Sequence, residues 1–246
     1  MHQLWPDCHP GDLSDADVVA AYTPPHRDRP WLRVNFVTSA DGAVTVEGHS
    51  EGLSSAPDKQ VFRVLRMLCD VLLVGAGTLR EEGYGPLRLD AARRDWRTAA
   101  GLSPYPVLAV VSGRLALEPD HPALTEAPVR PVIVTHHGSP PAQRHRLATV
   151  ADVVVAGETE VDLVAARAAL HERGLTQVLC EGGPCLFGSL LAADLVDELC
   201  LTVSPMLTGP GPGRIVAGPQ TATRRLRLDN ILHANGNLLL RYTRAP

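Results

Sequence analysis

Aromatic residues are scarce: three Phe, three Trp and four Tyr make up 4% of the 246 residues, so the interior must be aliphatic. A basic block is also missing. Lys and Arg number 23 against 27 Asp and Glu, for a net charge of −4. Backbone binding to nucleic acid needs a concentrated positive surface, so no nucleic-acid partner is expected, although a compact basic pocket for one phosphate stays open. No apolar stretch reaches the roughly 18 residues of a membrane span, and no membrane partner is expected. The opening MHQLWPDCHP is a poor export signal. Cys8, Cys69, Cys180, Cys185 and Cys200 form no CxxC pair and no zinc spacing with histidine, so no metal site is expected. The last four lie in apolar stretches and read as buried thiols. Their odd number, without a signal peptide, suits a reducing cytoplasmic compartment. HExxH and GxSxG are absent, and the adjacent His136 and His137 do not share a strand face, which argues against zinc hydrolysis and serine acyl transfer. The loop TGPGPGR lacks the GKS or GKT ending of a P-loop.

Apolar residues at 45% and charged residues at 20% describe a folded globular chain, long enough for one large α/β domain or two small ones. Residues 1–30 are irregular and proline-punctuated, with one short helix in LSDADVVAAY that Ser14 can cap. They read either as an arm laid on the domain or a partner subunit, or as a loose tail. The domain proper is expected over 31–246. WLRVNFV is its first strand, with Leu32, Val34 and Phe36 on one face and Arg33, Asn35 and Val37 on the other. SSAPDKQVFRVLRMLCD follows as a helix with a Ser55–Asp58 capping box and an apolar stripe through Phe62, Leu65 and Cys69. DVLLVG is a buried strand running into a glycine-bearing turn and loop, and RLDAARRDWRTAAGLSPYP a polar surface insertion. Strands in VLAVVSG, PVIVTHHG, ATVADVVVAG, TQVLCEGG and CLTVSPML alternate with helices in VDLVAARAALHERG, closed by Gly174, and PCLFGSLLAADLVDEL. An NGN turn then joins DNILHA to LLLRYT as a hairpin. This order predicts an α/β fold: a mostly parallel central sheet, helices on both faces, and a C-terminal antiparallel hairpin.

Parallel strands place ligands beyond their carboxyl ends, and three such ends carry unusual residues. Gly75, Gly77 and Thr78 in GAGT let a phosphate or ring approach backbone N–H groups, or else make an ordinary tight turn. Glu181, Gly182 and Gly183 stand before a helix that Pro184 can start, where amides suit a diphosphate or are simply a helix cap. Asn35 and Ser39 share a strand face, and Asp41 beyond them is either a carboxylate orienting a polar heterocycle or an Asx turn. Ser112 and Arg114 follow LAVV and suit a 2′-phosphate, favouring NADPH over NADH, or lie in a solvated loop.

In their order, VNFVTSADGAV, GHSEGLSSAPDKQVFRVLRMLCDVLLVGAGTLREEGYGPL and VLCEGGPCLFGSLLAADLVDELCLTVSPMLTG resemble the reductase domain of bacterial riboflavin biosynthesis, the C-terminal part of the bifunctional deaminase-reductase, from about Trp31 onward. The resemblance implies a dihydrofolate-reductase-like three-layer fold and an NADPH-dependent homodimer. It implies hydride transfer to C1′ of 5-amino-6-(5-phosphoribosylamino)uracil or its deaminated relation. It makes Gly75, Gly77, Thr78, Glu181, Gly182 and Gly183 cofactor contacts and Asn35, Ser39 and Asp41 substrate contacts, with Ser54 and Arg66 toward the sugar phosphate. The zinc deaminase often fused to the family, with its HxE and PCxxC pattern, is not in the sequence. The loop after GAGT reads LREEGYGPL where the family often carries an aspartate before its proline.

Such a reaction needs positioning and pre-organised polarity rather than a protein nucleophile. Asp41 is the expected catalytic residue, ordering the water that supplies the proton, because an ordinary aspartate is ionised at neutral pH. A dihydrofolate or pterin reductase would use the same cofactor face with another pocket, and a non-catalytic nucleotide-binding protein would keep the glycine turns without turnover.

Overall fold

The computed structural model describes residues 1–8, 11–211 and 213–245; Pro212, inside the glycine–proline loop, lies outside them. The chain begins with strand β1 (His2–Trp5) and helix α1 (Asp15–Tyr22). Ser14 caps α1 as expected, and the Asp17 carboxylate returns the bond to the Ser14 N–H, completing a capping box. Strand β2 (Trp31–Ser39) leads through a 3-10 turn at Glu51–Leu53 to helix α2 (Ala56–Leu68). The capping box expected there is half made: Ser55 accepts from the Asp58 N–H, but the Asp58 carboxylate turns to the Ser54 hydroxyl.

Strand β3 (Val71–Gly75) runs directly into helix α3 (Ala76–Glu81), where the sequence suggested only a turn and loop. Helix α4 (Ala91–Ala99), capped by Asp90, replaces the expected surface insertion. Its inward residue is Arg97, which is buried and donates to the carbonyls of Met67, Cys69 and Ser103. A helix that buries a charge rather than an apolar stripe leaves no hydrophobic period to read.

There follow β4 (Val107–Val111), α5 (Pro122–Thr125), β5 (Val132–Thr135), α6 (Pro141–Leu147), β6 (Asp152–Val155), α7 (Leu163–His171), β7 (Gln177–Cys180) and α8 (Pro184–Ala192). Strands β8 (Glu198–Ser204), β9 (Leu226–Ala234) and β10 (Asn237–Arg244) complete the fold. Helix α8 is shorter than expected. Asp194 takes a positive φ of 58°, and the Asp197 carboxylate accepts the Leu32 N–H, so the chain has already turned into β8.

The sheet order is β1-β9-β10-β8-β2-β7-β3-β4-β5-β6. From β8 to β6 every neighbouring pair is parallel; β10, β9 and β1 are antiparallel additions. Alternate strand residues feed two cores. Leu72, Val74, Leu108 and Val110 pack with α1, α2, α3, α5 and α6. Leu32, Val34, Val71, Leu73 and Ala109 pack with α7 and α8 on the other face. The layering is therefore helix, sheet, helix.

The N-terminal arm is laid on the domain. Its strand β1 extends the sheet beside β9, and Val18 and Tyr22 are buried in the first core. A charge cluster fixes it. Glu198, with no exposed surface, pairs with Arg33 at 2.6 Å and Arg241 at 3.0 Å and accepts the Trp31 indole N–H. The two guanidinium groups also donate to the carbonyls of Tyr22 and Ala21 at the end of α1. Of the thiols, Cys69, Cys180 and Cys200 are buried as expected. Cys185 is exposed, because it occupies the outward side of the first turn of α8, where Leu186 and Phe187 turn inward.

Candidate active site

A cavity of about 560 Å³ opens at the carboxyl ends of β2, β7 and β3, the strands at the middle of the parallel block. Its floor is made where two glycine turns meet. The Gly75 N–H donates to the Gly182 carbonyl at 2.8 Å and the Glu181 N–H to the Leu73 carbonyl at 3.1 Å, so the turns after β3 and β7 are fixed to one another. Close packing demands glycine at two positions. Gly182 has φ +91°, and a Cβ there would stand 2.9 Å from the Phe36 ring; a Cβ on Gly183 would stand 2.7 Å from the Thr78 hydroxyl. Phe36 itself stacks on Phe187, ring centroids 5.5 Å apart. At Gly77, by contrast, a Cβ would meet nothing closer than 3.7 Å, so the chain's own packing does not require glycine there.

One wall is a stripe along α2. Asp58, Phe62 and Arg66 are four residues apart, which sets them on one helix face, and all three line the cavity. The Arg66 guanidinium lies 4.1 Å from the Phe62 ring centre. It also grips Glu181 with two hydrogen bonds, 2.8 and 2.6 Å, and the Tyr84 hydroxyl donates to the same carboxylate at 2.7 Å. Burial, and then the neighbouring Glu181 charge, push the Tyr84 phenol well above its usual range, so it stays a donor. Asp58 is 6% exposed. Burial raises its carboxyl, opposed by hydrogen bonds from the hydroxyls of Ser54 and Thr202. Opposite α2, Glu82 accepts from the N–H and hydroxyl of Ser50, at 3.2 and 3.1 Å, joining the segment after α3 to the loop before α2. Among the described residues the lining carries the acids Glu51, Asp58, Glu81, Glu82 and Glu181 against the bases Lys59, Arg66 and His49. Among the described residues, no group of His, Cys, Asp and Glu is arranged to hold a metal ion, and no helix is long and apolar enough to cross a membrane.

The structure brings Asn35, Ser54, Arg66, Thr78, Glu181 and Gly183 to this cavity; Gly75 and Gly182 support its floor. Two of these residues are already engaged with neighbours, Ser54 with Asp58 and Arg66 with Glu181. Ser112 is buried at the end of β4 and Arg114 exposed just beyond it, one strand over from Gly75 and outside the cavity. Ser39 and Asp41 also fall outside its lining. The Asp41 carboxylate accepts from the Ser39 hydroxyl and from the N–H groups of Thr208 and Gly209, at 3.2 and 2.8 Å. The Ser39 bond first, then that of Gly209, lowers its pKa to about 2. Strand parity set Ser39 beside Asn35, but β2 ends at Ser39, whose hydroxyl donates to Asp41 and accepts from the Ala43 N–H, and Gly42, φ +87°, turns the chain away, so neither Ser39 nor Asp41 reaches the cavity. Reading the sequence also missed Asp58, Phe62, Tyr84 and Glu82. The D-xxx-F-xxx-R spacing on α2 was the available signal, but Asp58 was assigned to the helix cap and Phe62 to the apolar stripe, and only Arg66 was carried to the site.

A family model described as RibD C-terminal domain matches residues 30–240. A 2,5-diamino-6-ribosylamino-4(3H)-pyrimidinone 5′-phosphate reductase of Methanothermobacter thermautotrophicus is 29% identical over 220 residues, covering 87% of this chain and 98% of the relative. A protein of the same name from Archaeoglobus fulgidus is 28% identical over 204 residues, covering 82% and 93%. The crystal structure of a pyrimidine reductase-like protein from Corynebacterium diphtheriae superposes with a TM-score of 0.83 at 27% identity, covering 95% of this chain and all (100%) of that one. The mostly parallel sheet with its hairpin and two helical layers is thus the dihydrofolate-reductase-like fold that the sequence motifs implied.

Proposed function

Because the chain belongs to the RibD C-terminal domain family, we propose that it is an NADPH-dependent reductase delivering a hydride to C1′ of a ribosylaminopyrimidine phosphate. The observation that carries this reading is the cavity in which the two joined glycine turns face an aromatic and polar wall on α2. The bare backbone at Gly77, where a Cβ would meet only the Glu81 carboxylate at 3.7 Å, fits the approach of a dinucleotide, as do the Thr78 hydroxyl and Gly183 at the cavity floor. Ser112 and Arg114, one strand over, suit the 2′-phosphate. When bound, the cofactor supplies the hydride.

The chain's residues do the positioning. Phe62 and Asn35 place the heterocycle. The Arg66–Glu181–Tyr84 bridge keeps the wall in register with the floor. Lys59 lines the cavity and its ion-pair partner Glu51 is exposed, which makes its ammonium group the cation most available to the 5′-phosphate. With its carboxyl held near pKa 2 and bonded to the 208–209 turn, Asp41 acts as a positioning residue for that loop, and the proton comes from water.

NADPH oxidation assayed side by side against the ribosylaminopyrimidine phosphate and dihydrofolate tests the reading. Turnover of the pyrimidine, with a preference for NADPH over NADH that Arg114→Ala reduces, is the expected result. Turnover of dihydrofolate alone would replace it with the folate reading, and cofactor binding with no turnover of either would leave a nucleotide-binding protein.

A further inference from the structure

Two pyrimidines are in question: the 2,5-diaminopyrimidinone named for the archaeal relatives and the corresponding 5-aminouracil. They differ at ring position 2, amino in one and oxygen in the other. The difference changes an entire edge. The diaminopyrimidinone offers two adjacent donors, the 2-amino group and N3–H. The uracil offers N3–H beside a carbonyl acceptor.

Asp58 is a cavity group able to read that edge. It is 6% exposed, and what surface it keeps belongs to the cavity wall. Its hydrogen-bond partners are hydroxyls, Ser54 at 2.5 Å and Thr202; the nearby Lys59 charge favours its ionised form, but the Lys59 ammonium group pairs with Glu51 and the Arg66 guanidinium with Glu181. It does not serve as helix cap either, since Ser55 takes that role. An ionised carboxylate has about four acceptor sites. Two hydroxyls leave the others for a ligand. Phe62 lines the cavity one turn further along the same helix face, with the Arg66 guanidinium over one side of its ring, so a flat ring seated beside Phe62 lies within one helical turn of Asp58.

Resting on the reductase reading above, we propose that Asp58 selects the 2-amino pyrimidine over the uracil by accepting its paired N–H donors. Two parallel N–H···O bonds form with the diaminopyrimidinone. With the uracil, one carboxylate oxygen faces the C2 carbonyl oxygen, acceptor against acceptor, and a buried charge is left short of a donor.

The full-length protein is assayed with NADPH against both pyrimidine phosphates, as the parent and as Asp58→Asn. The parent is expected to favour the 2-amino substrate by on the order of 10²-fold or more in kcat/KM. The asparagine amide offers one acceptor beside one donor, the complement of the uracil edge, so the preference is expected to invert. A role confined to holding α2 would lower both activities together and leave their ratio unchanged; that outcome, or parity between the two substrates in the parent, overturns the proposal. Parity in the parent needs no variant, so a misfolded Asp58→Asn does not shield the claim. Calorimetric binding of the same two compounds separates the layers of inference. Discriminating binding without turnover sinks the reductase reading and keeps Asp58, equal binding sinks Asp58 alone, and no binding of either sinks both.

Discussion

Replacing Glu181 by Gln keeps its shape and removes the charge between Arg66 and Tyr84. The Glu181 side chain is 2% exposed and that of Arg66 22%, so the pair is only weakly screened. Loss of a charged partner from such a bond costs about 1.5–3 kcal/mol. Urea unfolding should show that loss, with KM for the pyrimidine rising as the α2 wall loosens; unchanged stability would mean the bridge is ornamental to the fold. Glu198 makes a pH-dependent case. Burial alone would raise its pKa, but Arg33 and Arg241 outweigh burial and hold it below 4.5. A depressed acid stabilises the fold above its unfolded pKa, and the contribution fades as pH falls through the folded value. Stability of the parent should therefore fall with pH below about 4.5 more steeply than that of Glu198→Gln. Parallel curves would show that the cluster does not titrate on unfolding. The residues also show what could be read from sequence. Asn35 was legible because it lies in the stretch of β2 that borders the cavity, whereas Ser39, at the strand's end, is taken up by Asp41 and the Ala43 N–H. Asp41 was not, because two residues of turn erase parity, and Asp58 and Phe62 were hidden on a helix whose two faces are both occupied, one by core and one by cavity.

At the level of elements, the short apolar strands β3, β4, β5 and β7 were plain in the sequence, since burial on both faces writes a continuous Val and Leu run. The hairpin was equally plain: Asn235 and Gly236 take φ of 50° and 78°, the pair of positive angles its turn requires. Strand β1 and helix α4 were not. The first is four mostly exposed residues held by pairing to β9, and the second buries an arginine. The arm nevertheless contributes to stability. Tyr22 is 1% exposed within the first core, and Tyr22→Ala is expected to cost about 3–5 kcal/mol in chemical unfolding, a penalty typical of emptying an aromatic site. A cost under about 1 kcal/mol would mean that the site collapses or that the arm detaches at little expense.

For the molecule as a whole, the proposed homodimer has a physical footing in the antiparallel end of the sheet. Leu4, Trp5, Leu226 and Leu238, on β1, β9 and β10, are each between 39% and 48% exposed. Sedimentation at micromolar concentration is expected to give twice 26.3 kDa; a clean monomer would defeat the assignment. The strand order has a further effect. Strand β2, which supplies Asn35, Phe36 and Val37 to the cavity, pairs only with β7 and β8. On a ribosome, β3 to β6 can assemble as a parallel block while β2 has no sheet neighbour until the last third of the chain emerges. Central closure is then a late, long-range event of the slow kind. A chain stopped before Gln177 would hold most of its helices and one of its two glycine turns, yet have no place to bind a ligand, so cofactor binding would report that synthesis has passed β7.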